Sequence, residues 1–244
     1  MKMRGVSTRI GVAVAAVAVA GALGAGDASA QTKVGWVGPT PPGANNQVYL
    51  TTSTINNAPL EASSRIYTGF GNSVASGYMG VQARLFKSGV LCQITDYQYN
   101  VGPANQISTN TYGNCGSGSY NSHGFVKYWT GTEYGDFLTF PTDPLNFTAP
   151  AAATARTTTG AVETGRNTRG QSFGTAETAR TDDAQPDLIA AFTTDGKQGF
   201  VRKTDLVGET PSSPAAAAAH RAGHRSISVV DRDGTTVVGT FTVS

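Results

Sequence analysis

Val81-Gln82-Ala83-Arg84-Leu85-Phe86-Lys87-Ser88-Gly89-Val90-Leu91-Cys92-Gln93-Ile94 is the stretch that decides the fold. Val81, Ala83 and Leu85 alternate with Gln82, Arg84 and Phe86, the period of two expected of a strand with one buried face. Lys87-Ser88-Gly89 breaks the alternation, and Gly89 can take the positive φ that a short hairpin loop needs. Val90, Cys92 and Ile94 then face one side and Leu91 and Gln93 the other, with Tyr97 and Tyr99 extending the run. The sequence predicts a hairpin here. Residues 125–129 read as a further strand, Thr130-Gly131-Thr132 as a turn, and residues 137–140 as the return strand.

Cys115 lies in a Gly/Asn/Ser-rich loop between these two hairpins. Two cysteines in an exported chain favour a bridge between Cys92 and Cys115 over two free thiols. Closing a loop with 22 residues between the cysteines would stabilise the fold by roughly 3 kcal/mol on the chain-entropy account.

The reading of export comes from the first 30 residues. Lys2, Arg4 and Arg9 precede an apolar run rich in Ala, Val and Gly, and Ala28-Ser29-Ala30 is a small-residue cleavage site. Residues 1–30 are therefore expected to be a secretory signal peptide cut between Ala30 and Gln31, rather than a membrane anchor. Their removal takes three of the 18 basic and one of the 16 acidic residues, which leaves 15 of each. A neutral chain has no overall field to draw it to nucleic acid or anionic lipid. After cleavage, neither nucleic acid nor membrane is expected as a partner.

Composition divides the rest. Residues 31–148 contain ten charged side chains and many Tyr, Phe, Asn, Ser and Thr. They are expected to form an antiparallel β-sandwich or barrel of six to eight short strands. Residues 149–170 carry almost no large apolar side chain and no periodicity, and read as a disordered linker. Residues 171–244 read as a small α+β module. In it, residues 186–192 form a strand or short helix and residues 199–203 a strand, and Ser213-Pro214 caps an Ala-rich helix ending before Gly223. A last hairpin turns at Asp233-Gly234.

Residues 171–244 also resemble a C-terminal module of uncharacterised secreted proteins of Gram-positive bacteria, actinobacteria above all. The resemblance rests on Pro186-Asp187-Leu188-Ile189, on residues 199–206, on Ser213-Pro214, and on residues 233–241. It implies an extracellular setting rather than a reaction. Residues 31–148 are similar in character to small secreted actinobacterial β proteins with one disulfide, and are assigned to no family.

The candidate chemistry is thin. Gly170-Gln171-Ser172-Phe173-Gly174 fits a nucleophile pattern, with Asp205 and His220 or His224 following in order, but polar and Gly-rich flanks supply neither the strand nor the helix that the elbow needs. His220 and His224 are four apart, a metal-ligand spacing without a third ligand. A Cys–His pair with His123 needs a free thiol, which the disulfide removes. Asp231 and Asp233 resemble part of a calcium loop, but a hairpin turn explains them. Glu133, Asp136 and Asp143 could supply two carboxylates for glycoside chemistry, although a solvated loop explains them as well. No cofactor is indicated.

The aromatic cluster stands above background. Tyr97 and Tyr99 share a face, and so do Val126 and Tyr128, with Trp129 next to Tyr128 in the same hairpin. One pair could lie outward as a stacking face for sugar rings or a protein. The expectation is a secreted, non-catalytic protein that binds at or outside the cell envelope, to cell-wall glycan or an extracellular protein. A secreted antimicrobial, toxin or protease inhibitor, and a secreted hydrolase, are the alternatives.

Overall fold

The structure, a computed structural model, describes residues 30–150 and 162–244. The expected signal peptide, apart from Ala30, and residues 151–161 of the expected linker lie outside the described residues.

The chain opens with two short strands, β1 (Thr32–Val34) and β2 (Gly38–Pro39), both laid against β3 (Tyr49–Asn57). β3 turns tightly into β4 (Leu60–Thr68), and the two pair over nine residues each. Along β4 every second residue is buried, from Leu60 through Ala62, Ser64 and Ile66 to Thr68. That period fixes the register, because a one-residue slip would turn the buried set outward.

Next come β5 (Met79–Gln82), β6 (Arg84–Lys87), β7 (Val90–Ile94) and β8 (Gln98–Tyr99). The β6–β7 hairpin forms as the sequence predicts, with Ser88 and Gly89 at φ 49 and 83. The strand expected from Val81 onward is broken at Ala83, however. Thr95 takes both backbone groups of Ala83: its N–H donates to the Ala83 carbonyl, and its Oγ accepts the Ala83 N–H, each at 2.9 Å. With Ala83 held by Thr95, β5 and β6 go to different sheets.

The remaining strands of this half are β9 (Gln106–Tyr112), β10 (Gly118–Ser122), β11 (Phe125–Trp129), β12 (Tyr134–Leu138) and β13 (Leu145–Phe147). Cys92 and Cys115 form a disulfide that ties the 113–117 loop to β7. Residues 31–148 thus hold thirteen strands rather than the six to eight expected: β9 and β10 are too polar to show a hydrophobic period, β1, β2, β8 and β13 are too short to show one, and the run from Val81 is split in two.

Beyond residue 162 lie β14 (Gly165–Arg166), β15 (Ser172–Gly174), β16 (Leu188–Phe192) and β17 (Gln198–Arg202), then helix α1 (Lys203–Val207), helix α2 (Pro214–Ala219), and the hairpin of β18 (Arg225–Val230) and β19 (Val237–Val243). β14 pairs with β15, so the expected linker is structured at its C-terminal end. Ser213 caps α2, its Oγ accepting the Ala216 N–H at 3.2 Å, with Pro214 at the first position. The last hairpin turns at Asp233-Gly234, where Gly234 has φ 71.

The described residues are mainly β and form three sheets. The first runs β1-β3-β4-β9, with β2 on β3. The second runs β13-β10-β6-β7-β16-β17-β18-β19, with β14 and β15 joined beside β16. The third runs β12-β11-β5-β8. Strands from both sides of residues 149–170 meet in the second sheet, where β16 lies parallel to β7 with Ala191 opposite Leu91.

That meeting accounts for a departure from the sequence expectation. Gln82 and Arg84, read as the solvent side of the hairpin, are 2% and 0% exposed. One face of β6–β7 packs Leu85, Val90 and Cys92 with Ile55 and Leu60 of the first sheet and with Phe192. The other face packs Phe86, Leu91 and Ile94 with Ile189, Val201, Val229 and Phe241. The C-terminal strands cover the face that the alternation left to water.

Candidate functional site: a tyrosine- and carboxylate-lined trough

The segment after β7 builds one wall of the site. Asp96 donates its N–H to the Ser244 carbonyl at 2.7 Å, so the last residue of the chain fixes this bend. Its Oδ1 accepts the Tyr97 N–H at 2.9 Å, and its Oδ2 accepts the Gly223 N–H at 3.4 Å. Oδ2 also lies 3.4 Å from His220 Nε2, close enough for an ion pair once the imidazole is protonated, although the two are not aligned as a hydrogen bond.

Tyr97 and Tyr99 follow, with ring centroids 6.2 Å apart. Tyr99 meets Tyr134 and His220 edge-on, each at 5.7 Å, and Tyr134 meets Trp129 at 5.2 Å. This aromatic row needs Gly80, since a Cβ there would lie 2.5 Å from the Tyr99 ring. Tyr134 donates its hydroxyl to the Gly77 carbonyl. Burial is the main cause that raises the phenol pKa of Tyr97, Tyr99 and Tyr134 well above its ordinary value.

Two cavities open along this row. The larger, about 760 Å³, lies between Asp96, Tyr97 and Tyr99 on one side and α2 with His220 on the other. The smaller, about 320 Å³, is lined by Lys127, Glu133, Tyr134, Asp136, Asp182 and Asp183. Val207 at the end of α1 and residues 210–212 of the connection to α2 wall both cavities, and Gly208 and Glu209 join them in the larger one. The two together make a trough with that connection across it.

The floor of the smaller cavity is a buried ionic network. Lys127 and Asp182 pair at 2.9 Å, with side chains 6% and 9% exposed. Tyr97 donates its hydroxyl to the same Asp182 oxygen at 3.0 Å, and Gln185 Nε2 donates to the other at 3.3 Å. The Asp182 N–H in turn donates to Asp136 Oδ2 at 2.6 Å. Burial raises the Asp136 carboxyl above its ordinary value, against the pull of that hydrogen bond and of Lys127. Behind this lies Arg84, fully buried over the Phe125 ring at 3.8 Å and donating to the His123 carbonyl and to Gln185. Burial lowers the Arg84 pKa to about 10, so it stays charged at neutral pH.

The aromatic residues that the sequence singles out come together in part, but not as an outward face. Tyr97, Tyr99 and Tyr128 are 3%, 9% and 4% exposed, and Trp129 is half-buried. Tyr128 is turned into the core against Tyr49, over Gly135. Tyr97 and Tyr99 show only an edge, as trough wall. The other candidates do not assemble. Ser172 is bonded to Asp187, its Oγ 2.8 Å from the carboxylate, within a strand rather than a strand-to-helix turn. α2 ends at Ala219, so His220 and His224 are not on one helical face. Among the described residues, no group of three His, Cys, Asp or Glu is placed to hold a metal ion. His123 is buried beside Arg84, away from any thiol, both cysteines being in the disulfide. Asp231 accepts the Thr235 N–H at 2.9 Å as part of the hairpin turn. Glu133 and Asp136 do line one cavity, whereas Asp143 is exposed elsewhere.

Asp96, Asp182 and residues 209–212 were not anticipated. Asp96 and Asp182 are single carboxylates without a motif, and they gain meaning only through contacts from far along the chain. The polar, Pro-containing run at 208–212 between two short helices was the one available signal. No family model, curated protein or solved structure matches the chain. No helix among the described residues is long and apolar enough to cross a membrane.

Proposed function

We propose that this chain is exported and acts outside the cell as a non-catalytic binding protein, and that the trough holds a hydroxyl-rich glycan of the cell envelope. The observation that carries the reading is the wall composition. Tyrosine edges stand beside carboxylates and hydroxyls, the groups that pack against sugar rings and bond their hydroxyls. Residues 1–30 support export, and the charge balance of residues 31–244, with 15 basic and 15 acidic side chains, suits a neutral glycan.

The engagement of Asp182 and Ser172 favours binding over catalysis. Both Asp182 oxygens are taken up by Lys127, Tyr97 and Gln185. Asp182 is thus held as a structural ion rather than left free as a nucleophile or base. Ser172 is bonded to Asp187 instead of a histidine.

The test is retention on isolated cell wall, with Ser212→Trp as the control. Ser212 is exposed and lines both cavities, so a bulky ring there obstructs the trough without entering the core. Retention that falls at least about tenfold in this variant, roughly 1.4 kcal/mol, is the expected result. Equal retention of both proteins, or retention of neither, refutes the reading.

A further inference from the structure

We propose that β9 is an interface through which two copies of this chain join edge to edge, their β9 strands antiparallel. An edge strand carries a row of unpaired backbone groups, which proteins blunt by shortness, charge, proline, bulges or cover.

Every other edge among the described residues has such a device. β1 has three residues and carries Lys33. β2 has two residues and contains Pro39. β8 and β14 have two residues each and β13 has three. β12 carries Asp136, which the Asp182 N–H crosses to meet. β19 has seven residues, but its Thr240 carbonyl accepts the Thr194 N–H at 2.8 Å, and Ser244 beyond it is bonded to Ile94 and Asp96.

β9 has none of these. Its seven residues pair with β4 alone, in unbroken register from Tyr112 opposite Glu61 to Gln106 opposite Tyr67. It holds no proline and no charge, and no charged residue lies anywhere between Asp96 and Lys127. In an antiparallel ladder alternate residues bond the neighbour, so the others point N–H and C=O away from it. No further backbone partner for β9 exists among the described residues. Gln106, Ser108, Asn110 and Tyr112 are all exposed.

A second copy fits this edge because the strand is complementary to itself. A two-fold axis at Thr109 sets Ser108 opposite Asn110, Ile107 opposite Thr111, and Gln106 opposite Tyr112. No charge meets a like charge, and hydroxyls face amides that can bond them. The result is an isologous contact that continues the first sheet across two copies.

Sedimentation equilibrium of the purified protein tests this. A concentration-dependent dimer is expected. Ser108→Lys with Asn110→Lys sets like charges opposite each other and raises the dissociation constant at least about tenfold. Ser108→Lys with Asn110→Glu sets opposite charges across the axis and restores the dimer. Both positions are on the exposed face, and circular dichroism verifies that the variants fold. A wild-type protein that stays monomeric at every concentration overturns the proposal, as do the two double variants dimerising alike. A monomer that instead takes up an extended peptide at β9 overturns the choice of a second copy.

Discussion

The Lys127–Asp182 pair is the sharpest place to probe what holds the trough to the rest of the fold. At 2.9 Å the Coulomb attraction is about 6 kcal/mol for an effective dielectric constant near 20. Removing both ions from water offsets much of this. Both side chains are almost wholly buried, so solvent screening does little to weaken the pair. Asp182→Asn leaves the buried ammonium with only the half-buried Asp136 as a counter-charge and is expected to cost about 3 kcal/mol, the lower end for a broken buried pair. Lys127→Met leaves the carboxylate with only Tyr97 and Gln185, and is expected to cost a similar amount. The double variant Lys127→Met with Asp182→Leu removes both ions of the pair, although Arg84 and Asp136 each lose a facing charge and the Tyr97 hydroxyl loses its acceptor, and it is expected to cost clearly less than the sum of the two singles. Urea unfolding at neutral pH, with slopes compared to verify two-state behaviour, reads all three. A single variant costing less than about 1 kcal/mol refutes the reasoning, as does a double variant costing the sum of the two singles.

Two further outcomes are expected. Cys92→Ala with Cys115→Ala opens a loop spanning 23 positions and lowers stability by about 3 kcal/mol on the chain-entropy account, measured by urea unfolding without reductant. The contribution of His123 to stability also falls as pH drops through about 6.5. Burial first, and then the Arg84 charge, hold His123 neutral well below its ordinary pKa of 6.5. The unfolded chain therefore takes up a proton that the folded chain refuses, at up to about 1.4 kcal/mol per pH unit below about 6.5. His123→Gln, which keeps an acceptor for Arg84, is expected to flatten this dependence. The raised carboxyls of Asp136 and Glu177 act with the opposite sign, gaining stability as they protonate, so the difference between wild type and variant is what isolates His123.

The local features of the fold were legible because their causes are local. Gly89 and Gly234 mark turns that need positive φ, Ser213-Pro214 opens a helix, and two cysteines in a neutral, strand-rich stretch point to one bridge. What could not be read depends on distant chain. A period of two in 81–86 identifies two faces but not that Ile189, Val229 and Phe241 arrive to cover the second. Arg84 reads as solvent-facing because nothing nearby announces the Phe125 ring and His123 carbonyl that receive it. The strand break at Ala83 depends on Thr95, and the trough on Asp96 meeting His220 and on Lys127 meeting Asp182. The sequence singles out Tyr97 and Tyr99 and leaves open that one aromatic pair lies outward, since aromatic density marks a packed region without saying which side of it is wet.

Hydrogen exchange of the protein with and without solubilised cell-wall glycan tests the central claim most directly. Slower exchange confined to residues 96–99, 130–136 and 207–213 is the expected result. Unchanged exchange in all three segments at saturating glycan, or protection confined to other strands, contradicts it.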